Sequence, residues 1–367
     1  MESKYVLNVW YMAAWQEELT TRPMLSRTFL DKSWVMYRKD DGSYAMIRDR
    51  CPHRFAPLSK GKRVGDRIEC GYHGLQFDSS GQCVHNPYSD MIPPGTAVES
   101  LPIVARYGIL WFWPGDPQKA DPEMIPDFSF LDDPQPMTRS HTIMKANYEV
   151  LTDNLMDLSH VEFVHANSFQ SNGTLFKGKH RAFQDDNGAI WSTWFIEDVP
   201  APHFAVADLG DQTSDRWTNM RWNAPATMYL EIGAAPHGTS PAETPVKSLR
   251  NPHIITPASE TESHYFYNCF PGPESEAFAK RVFEDEDRPM LEAVEKEMAG
   301  QDFWEMRPVI LNVDAGAVRA RRQLMKMRRE QNGENADRDD AAPVNPNATA
   351  PMSSVFPGIL SSSEPAA

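Results

Sequence analysis

Cysteine is scarce in this sequence, with four residues in a chain of 367. So few cysteines exclude a disulfide-rich scaffold, and any that lie close to histidine favour a metal site over a disulfide. No run of about 18 or more apolar residues is present, which excludes a membrane-spanning helix. The beginning of the chain lacks the basic start, apolar run and small-residue cleavage site of a secretory signal peptide, so a cytoplasmic protein is expected.

Positive charge is also in short supply. Lys and Arg number 36 against 51 Asp and Glu, which gives a formal net charge of −15. Phosphate binding needs a basic surface, so a nucleic-acid partner is excluded. Hydrophobic residues make up 41% of the chain, enough for a sizeable core, and the length fits two modest domains. Thirty prolines and ten tryptophans favour strands and loops over a helix bundle.

The N-terminal part of the chain alternates strand-like runs with turn signals. Residues 33–38 and 44–48 flank Lys39-Asp40-Asp41-Gly42, which is the pattern of a β-hairpin. Residues 71–77 and 78–84 together repeat the strand, turn, strand pattern, and residues 107–115 are predicted to form a buried strand that ends at Pro-Gly. This regular spacing predicts a small all-β domain over residues 1–116.

A Pro- and Asp-rich connection, residues 117–136, leads to a second region over residues 137–330. Helices are predicted near 148–165, from Glu284 to about Met298, and over Ala315–Arg329. Strand-like runs are residues 189–196, 228–232 and 264–268. The layout is that of an α+β protein. Residues 331–367 are mostly Asn, Asp, Pro, Ala and Ser, which predicts a disordered tail.

The first candidate site consists of two short motifs that each carry one Cys and one His. The four residues are Cys51, His53, Cys70 and His73, with 16 residues between the two motifs. Two thiolates suit one ferric ion and two imidazoles suit the other, which is the ligand set of a Rieske [2Fe–2S] cluster. Gly71 and Gly74 are expected to let the second loop approach the sulfides with its backbone N–H groups.

The alternative for this site is a Cys2His2 zinc centre, since zinc takes the same four ligands. Zinc fingers place both histidines after both cysteines, whereas here each motif holds one of each, which favours the Rieske cluster. Cys83-Val84-His85 is also a Cys-x-His sequence, but it has no matching second half. Cys83 and Cys269 are therefore interpreted as buried apolar residues, and His85 as a loop residue.

The second candidate site lies in the predicted helix near 148–165. His160 and His165 would lie about 140° apart on a regular helix, so the helix should end or widen between them. Asp157 comes three residues before His160 on the same helical face, where its carboxylate can hold the ring N–H of that histidine. The alternative is an amphipathic helix with two core histidines.

A third ligand for this site must come from elsewhere in the chain. The candidate is the acidic run Glu284-Asp285-Glu286-Asp287, which can equally be an acidic helix N-terminus. Spacing alone does not choose between Asp285 and Asp287. Two histidines and one carboxylate, with the remaining coordination positions open, are the ligand arrangement of oxygen-activating ferrous iron. A Rieske cluster would supply the electrons that such an iron needs.

Together these motifs resemble the oxygenase subunits of the vanillate O-demethylase group of Rieske oxygenases. The resemblance runs from Asn8–Ala14 to Asn312–Val318, with landmarks at Cys51–Ser59, Cys70–Leu75, Asp153–His160 and Arg216–Trp222. It implies a Rieske domain followed by a catalytic domain of the START/Bet v1-like helix-grip type, with one [2Fe–2S] cluster and one mononuclear Fe(II). The resemblance also implies that Asp287 is the third ligand of the iron, with Asp285 as the alternative.

The resemblance also implies a head-to-tail homotrimer in which Asp157 bridges His73 of one subunit and His160 of the next. Asn154 would lie near the iron as a positioning residue. The implied reaction uses O2 and two electrons from a separate NAD(P)H-dependent flavin and iron–sulfur reductase; this chain has no Gly-x-Gly-x-x-Gly fingerprint of its own.

The implied substrate is a small aromatic compound. A methoxylated aromatic acid would be O-demethylated to a phenol and formaldehyde, or an aryl methyl group hydroxylated. The alternatives are aromatic ring hydroxylation or a Rieske electron carrier without catalysis. Substrate contacts are expected from His203, Trp217 and Arg221, with His203 or Arg221 pairing a carboxylate; a loop histidine and a structural arginine are the competing interpretations.

Overall fold

The structure is a computed structural model that describes residues 3–132, 137–168, 173–239 and 247–334. Ten short strands occupy the N-terminal part: β1 Tyr11–Trp15, β2 Leu25–Phe29, β3 Lys32–Arg38, β4 Tyr44–Arg48, β5 Lys62–Val64, β6 Arg67–Glu69, β7 Gln76–Phe77, β8 Cys83–His85, β9 Ile103–Arg106 and β10 Ile109–Phe112. They form three antiparallel sheets with the orders β1-β10-β9, β2-β3-β4 and β5-β6-β7-β8. The predicted all-β character and the β3–β4 hairpin are confirmed.

The strand predicted over residues 71–77 is wrong for most of its length. Only Gln76 and Phe77 form a strand. The residues before them form a tight loop in which the N–H of Gly74 donates to the carbonyl of Cys70 at 2.9 Å. This local hydrogen bond closes the loop around Cys70 and His73, so the segment cannot extend.

The C-terminal part is built on one seven-stranded antiparallel sheet with the order β11-β17-β16-β15-β14-β13-β12. Its strands are β11 Thr138–Met144, β12 Lys179–Gln184, β13 Ile190–Pro200, β14 Thr213–Asn223, β15 Thr227–Pro236, β16 Lys247–Ser259 and β17 Glu262–Cys269. The helices are α1 Tyr148–Met156, α2 Val206–Leu209, α3 Pro273–Lys280, α4 Arg288–Met298 and α5 Ala315–Asn332. The α+β prediction is confirmed.

Alternation along the strands gives this sheet two different faces. One face, here called the helix face, carries Met220, Trp222 and Met228 in a core shared with α1, α4 and α5. The other, called the domain face, carries Trp191 and Tyr229. It packs on an aromatic core contributed by the N-terminal strands and the connection, namely Trp10, Trp15, Trp111, Trp113 and Phe128.

The connection between the two parts is ordered over its described residues. It contains the 3-10 turns Pro117–Lys119, Pro122–Met124 and Ser129–Asp132. Asp116 and Asp121 cap the first two turns, because each side chain accepts from a backbone N–H two residues later. Phe128 is fully buried between them and the sheet. Residues 133–136, the end of the predicted linker, lie outside the described residues.

The helix predicted from Glu284 to Met298 begins earlier than expected. The helix expected to start at Glu284 instead starts at Pro273 and continues through a π-helical segment, Arg281–Asp287, into α4. Pro289 lacks the N–H that a regular α-helix would need there, and the wider turn before it accommodates the loss. The predicted end at Met298 is confirmed.

The C-terminal tail was expected from residue 331, but α5 continues to Asn332 and ends at Gly333 with φ 76°. Gln331 holds this end in place: its Nε2 donates to the carbonyl of Tyr5 at 2.7 Å, and its Oε1 accepts from the N–H of Leu7 at 2.8 Å. The tail prediction is therefore wrong for residues 331–334. Residues 335–367 lie outside the described part of the chain. None of the described helices is long and apolar enough to cross a membrane.

A chain of hydrogen bonds joins the two parts of the molecule across the domain face. Arg27 Nη2 donates to His141 Nδ1 at 3.0 Å, His141 Nε2 contacts His264 Nδ1 at 2.9 Å, and His264 Nε2 contacts the carbonyl of Thr28 at 2.8 Å. Since arginine can only donate and a carbonyl can only accept, one neutral tautomer of each ring satisfies every atom. Burial, with a smaller contribution from neighbouring Arg27, lowers the pKa of His141 to about 2 and that of His264 to about 4; the hydrogen bond to Thr28 partly opposes the effect on His264.

These depressed pKa values predict a specific loss of stability in acid. Above pH 6.5 the His264 ring is neutral in both the folded and the unfolded protein. Below pH 6.5 the ring takes up a proton in the unfolded chain, whereas in the folded protein it stays neutral down to about pH 4. His264 alone should then cost the fold about 3 kcal/mol between these pH values. We expect the denaturant midpoint to fall more steeply with acid in the parent protein than in His264→Gln, whose amide keeps a donor for Thr28. Equal slopes in the two proteins would contradict this.

Candidate active site

The two Cys-and-His motifs form a pair of loops with the same hydrogen-bond pattern. In each loop the cysteine N–H donates to the carbonyl five residues later, and the cysteine carbonyl accepts from the N–H four residues later. The pairs are Cys51 with Ala56 and Phe55, and Cys70 with Leu75 and Gly74, at 2.8 to 2.9 Å. The fourth residue has a left-handed backbone in both, with φ 61° at Phe55 and 75° at Gly74. The local chain geometry therefore presents both Cys/His pairs in the same way.

The candidate cluster ligands are sorted by type. Cys51 and Cys70 are each 2% exposed and their sulfur atoms contact each other. The rings of His53 and His73 lie together on the outer side, with centroids 4.4 Å apart. Burial raises the pKa of the Cys51 thiol to about 11. A buried thiol of this kind ionises when a cation binds it, so the donor set fits a cluster with thiolates on one iron and imidazoles on the other.

Two glycines allow these loops to pack closely against each other. A Cβ on Gly61 would lie 1.9 Å from the carbonyl oxygen of Glu69, and one on Gly71 would lie 2.8 Å from that of Lys60. Gly71 thus allows the backbones of the two loop segments to touch, rather than only opening the loop toward the sulfides as expected.

Buried Asp49 ties the first loop to β2. Its carboxylate accepts from Ser26 Oγ at 2.7 Å and from the N–H and Oγ of Ser59 at 2.7 and 2.6 Å. The sequence alone gives no signal for this role, because an isolated acid between a strand and a loop is ordinary.

The other cysteines take no part in this site. Cys83 and Cys269 are both buried among apolar residues, as predicted. Cys83 donates weakly to the carbonyl of His85 at 3.5 Å. His85 is the last residue of β8, so its prediction as a loop residue is wrong.

His160, His165 and Asp287 converge into a second site although they come from two distant parts of the chain. One ligand atom from each lies within 4.8 Å of the others. Asp287 Oδ1 is 3.7 Å from His160 Nε2 and 3.4 Å from His165 Nε2. Asp287 and His165 are buried, whereas the side chain of His160 is 14% exposed. Asp285, the other candidate, points to solvent.

The second nitrogen of each ring is already taken by an acceptor. His160 Nδ1 lies 2.5 Å from the main-chain carbonyl of Asp157, and His165 Nδ1 lies 2.8 Å from Glu286 Oε2. With a metal bound between them, each ring would carry its hydrogen on Nδ1 and present the Nε2 lone pair on the side of Asp287. Two neutral imidazoles and one carboxylate oxygen with open positions are the donor set of mononuclear ferrous iron.

The chain direction changes at Asp157, between α1 and the next helical turn. The carboxylate of Asp157 accepts from the N–H and Oγ of Ser159 at 2.9 and 2.6 Å, and so caps the 3-10 segment Leu158–Glu162. The helical run then ends at Glu162, between the two histidines, as predicted. The expected contact of the Asp157 carboxylate with the His160 ring is wrong within this chain, because α1 ends at Met156 and the two residues do not share one helical face.

Asn154 lies next to the candidate ligands. Its Nδ2 donates to Asp287 Oδ1 at 3.3 Å, which fits a positioning role. The pKa of His165 is lowered by burial, but its contacts with Asp287 and Glu286 outweigh that effect, so the pKa is raised overall. The two carboxylates thus make the site favour a cation.

The substrate residues expected from the sequence lie elsewhere. Arg221 lies on the domain face, where Nη2 donates to the carbonyl of Asp127 at 2.8 Å and the guanidinium stacks 4.2 Å from the Tyr229 ring. Trp217 lies on the same face and packs directly on Gly233, where an added Cβ atom would lie 2.0 Å from the indole ring. Both expectations are wrong, because the iron candidates lie across the sheet. His203 begins the 3-10 segment His203–Ala205, and its side chain is outside the described residues.

A buried pair on the helix face is a better candidate for substrate contact. His253 Nδ1 lies 2.6 Å from the hydroxyl of Tyr265, and both residues are 3% exposed. His253 Nε2 is buried with no partner among the described residues. The Asp287 charge acts on the pKa of both groups, and the Phe283 ring lies 5.5 Å from His253. A histidine on an alternating strand gives no signal in the sequence that separates it from a core residue.

One site built for single electrons and a second built to activate oxygen, in this order of domains, define the class of Rieske non-haem iron oxygenases. Family comparison agrees. The Rieske [2Fe-2S] domain family matches residues 9–102, and the vanillate O-demethylase oxygenase C-terminal domain family matches residues 144–330.

Similar proteins cover almost the whole length. The dicamba O-demethylase oxygenase component of Stenotrophomonas maltophilia is 39% identical over 336 residues, 88% of this chain and 98% of that protein. The iron–sulfur subunit of the toluene-4-sulfonate monooxygenase system of Comamonas testosteroni is 33% identical, covering 90% and 99%. A crystal structure of dicamba monooxygenase with non-haem iron and dicamba matches with a TM-score of 0.75 and 34% identity, covering 90% and 99%.

The chain belongs to the vanillate O-demethylase family of Rieske oxygenases. It is the oxygenase component of a multicomponent monooxygenase, with a Rieske [2Fe–2S] cluster and a mononuclear non-haem iron as cofactors. As a component of such a system it works with a separate reductase.

Proposed function

We propose that this oxygenase O-demethylates a methoxylated aromatic acid or hydroxylates the methyl group of an aromatic anion. The observation that carries the proposal is the His253–Tyr265 pair, which lies beside Asp287 among aromatic side chains. Similar proteins are named for dicamba and vanillate O-demethylation and for toluene-4-sulfonate oxidation. All three compounds are aromatic anions that carry a methyl or methoxy group.

The hydrogen bonding of His253 supports an anionic substrate. Burial holds the pKa of Tyr265 well above its ordinary value, and the Asp287 charge raises it further, so the hydroxyl keeps its proton. Tyr265 can then donate to His253 Nδ1, which leaves the hydrogen on Nε2. An unpaired buried N–H is costly, and a substrate carboxylate would satisfy it.

The ring of the substrate would pack against Phe283 and the aromatic residues of β17. When bound, the iron and the cluster supply oxygen activation and single electrons. The chain orients the substrate through His253 and holds the ligands through Asn154, the Asp157 carbonyl and Glu286. Burial of His165 and Asp287 excludes water from the inner side of the site.

For the assembly we propose a head-to-tail homotrimer with an NAD(P)H-dependent flavin and iron–sulfur reductase as electron donor. Each subunit would comprise a cluster domain, 1–116, a connection, 117–136, and a catalytic domain, 137–330. Asp157 supports this arrangement because Oδ1 binds Ser159, while Oδ2 has no hydrogen-bond partner in the described part of the chain. His73 of a neighbouring subunit would take that position.

The function is tested with the loaded protein, a reductase and a panel of methoxylated and methylated aromatic acids. Oxygen uptake and formaldehyde release are measured together with the matching neutral methyl esters. We expect turnover of acids with one formaldehyde per O2 for methoxy compounds, and alcohols from methyl compounds. Ring hydroxylation, or equal turnover of acids and esters, would contradict the proposal.

A substitution at His253 tests the substrate contact itself. His253→Phe keeps an aromatic ring but removes the N–H, and loss of a hydrogen bond to a charged group costs roughly 1.5–3 kcal/mol, or about 10–150-fold in kcat/KM for acids. The ester series should change little. An unchanged preference for acids in this variant would rule out His253 as the anion contact.

A further inference from the structure

Two consecutive carboxylates bracket the ring of His165. Glu286 Oε2 lies 2.8 Å from Nδ1, and Asp287 Oδ1 lies 3.4 Å from Nε2. Consecutive side chains of an α-helix point about 100° apart and diverge. Both acids belong to the π-helical segment Arg281–Asp287, in which the wider turn rotates neighbouring residues by a smaller angle. This backbone lets both acids reach one imidazole.

Glu286 is itself held from two directions. Ser168 Oγ donates to Oε2 at 2.6 Å, and Arg281 Nε lies 3.3 Å from Oε1. Arg281 is five residues before Glu286, which is the spacing that the π-helical hydrogen bond brings together. Its Nη2 also donates to the carbonyl of Asn167 at 2.9 Å. The loop after His165 is therefore tied to the π-helical segment through the same carboxylate.

The two histidines differ in what holds their Nδ1 atoms. His160 contacts a main-chain carbonyl, that of Asp157, which no substitution removes. His165 depends on the side chain of Glu286. A carboxylate acceptor fixes the tautomer of a ligating imidazole and makes its other nitrogen a stronger donor.

We propose that Glu286 positions His165 in the iron site: it keeps the hydrogen of His165 on Nδ1 and directs Nε2 toward the metal. The inference rests on the assignment of His160, His165 and Asp287 as the metal ligands. Glu286 itself is not a ligand, because its contacting oxygen faces the ring nitrogen on the far side from Asp287.

The test compares Glu286→Ala, Glu286→Gln and Asp285→Asn in the full chain with its Rieske cluster in place. The mononuclear metal is removed by mild chelation and the site is titrated with Co(II). Glu286→Ala should bind Co(II) on the order of 10–100-fold more weakly. Glu286→Gln keeps an acceptor oxygen and should recover most of the affinity. The control Asp285→Asn changes an exposed acid and should match the parent.

A second readout separates positioning of the ring from simple bracing of the loop. In the Co(II) protein each ligating imidazole has an exchangeable ring N–H signal with a large paramagnetic shift that the Zn(II) protein lacks. The parent and Glu286→Gln should show two such signals. Glu286→Ala should lose the one from His165 by exchange with water. If Glu286→Ala binds Co(II) weakly but keeps both signals, Glu286 only braces the loop and the proposal is wrong.

Asp287→Ala, titrated in parallel, tests the ligand assignment separately from the role of Glu286. If it loses Co(II) while Glu286→Ala binds as tightly as the parent, the ligand assignment stands and the role of Glu286 is wrong. If Asp287→Ala also binds like the parent, the ligand assignment itself fails.

Discussion

Asp287→Ala is expected to abolish turnover while leaving the visible spectrum of the Rieske cluster unchanged. Asp287 Oδ1 is the atom toward which both histidine Nε2 atoms point, so its removal leaves two neutral imidazoles and no charge for the metal. The loss should exceed the roughly 10–100-fold that removal of an outer hydrogen-bond partner costs. Iron analysis should find the cluster iron and no mononuclear iron.

The matched control is Asp285→Ala, two residues earlier in the same acidic run. Asp285 is exposed, so this variant should keep full iron content and parent activity. An active Asp287→Ala beside an inactive Asp285→Ala would show that the wrong member of the run has been assigned. Unaltered iron content in both would move the third ligand elsewhere.

Asp157→Asn is expected to slow electron delivery to the mononuclear iron with both metal sites still filled. Asparagine accepts the N–H of Ser159 as aspartate does, so the 3-10 cap survives, and the carbonyl that holds His160 is unchanged. Only the charge of the carboxylate is removed. We expect a fall on the order of 10–100-fold or more, because the charge would hold His73 of the neighbouring subunit next to the carbonyl that holds His160.

A single-turnover experiment measures this step directly. The variant is reduced beforehand, then mixed with O2 and substrate, and both cluster reoxidation and product are followed. Reoxidation should be slow in Asp157→Asn and fast in the parent, with equal rates of cluster reduction by the reductase. Product formation at the parent rate would make Asp157 a cap for the 3-10 segment and nothing more.

The parts of the site that could be predicted from the sequence are those that lie in short local motifs. Cys51, His53, Cys70 and His73 lie in two short loops, and their order along the chain separates a Rieske cluster from a zinc finger. The spacing of His160 and His165 required a break in the helix between them, and the helical run ends at Glu162. The break at Asp157 was not predictable from periodicity, since the residues around it continue a helical pattern.

The substrate residues were assigned to the wrong face for a physical reason. Alternation in β14 shows that the strand has two faces, but not which of them meets the helices. Trp217 and Arg221 share the face that packs on Trp111 and Phe128. Which face of β14 points toward the iron ligands depends on how the sheet packs against helices that are distant in the sequence.

Contacts made by distant segments gave no signal either. His253 on β16 contacts Tyr265 on the neighbouring strand β17, and Glu286 contacts His165 over a sequence separation of 121 residues. The acidic run suggested a helix N-terminus, whereas it forms a π-helical segment inside a longer helix. Propensity alone does not distinguish these states, and the wider turn that brings Glu286 and Asp287 to one imidazole depends on a contact made over a long sequence separation.

One chain is expected to hold a Rieske cluster and a separate mononuclear iron. Quantitative analysis of iron, zinc and acid-labile sulfide, together with the visible spectrum of the same sample, tests it directly. We expect three iron atoms and two sulfides per chain, no zinc, and a reddish-brown protein. Two irons and two sulfides, with no further metal bound when Fe(II) is added, would mean an electron carrier, and a colourless zinc protein would rule out both the Rieske cluster and the mononuclear iron.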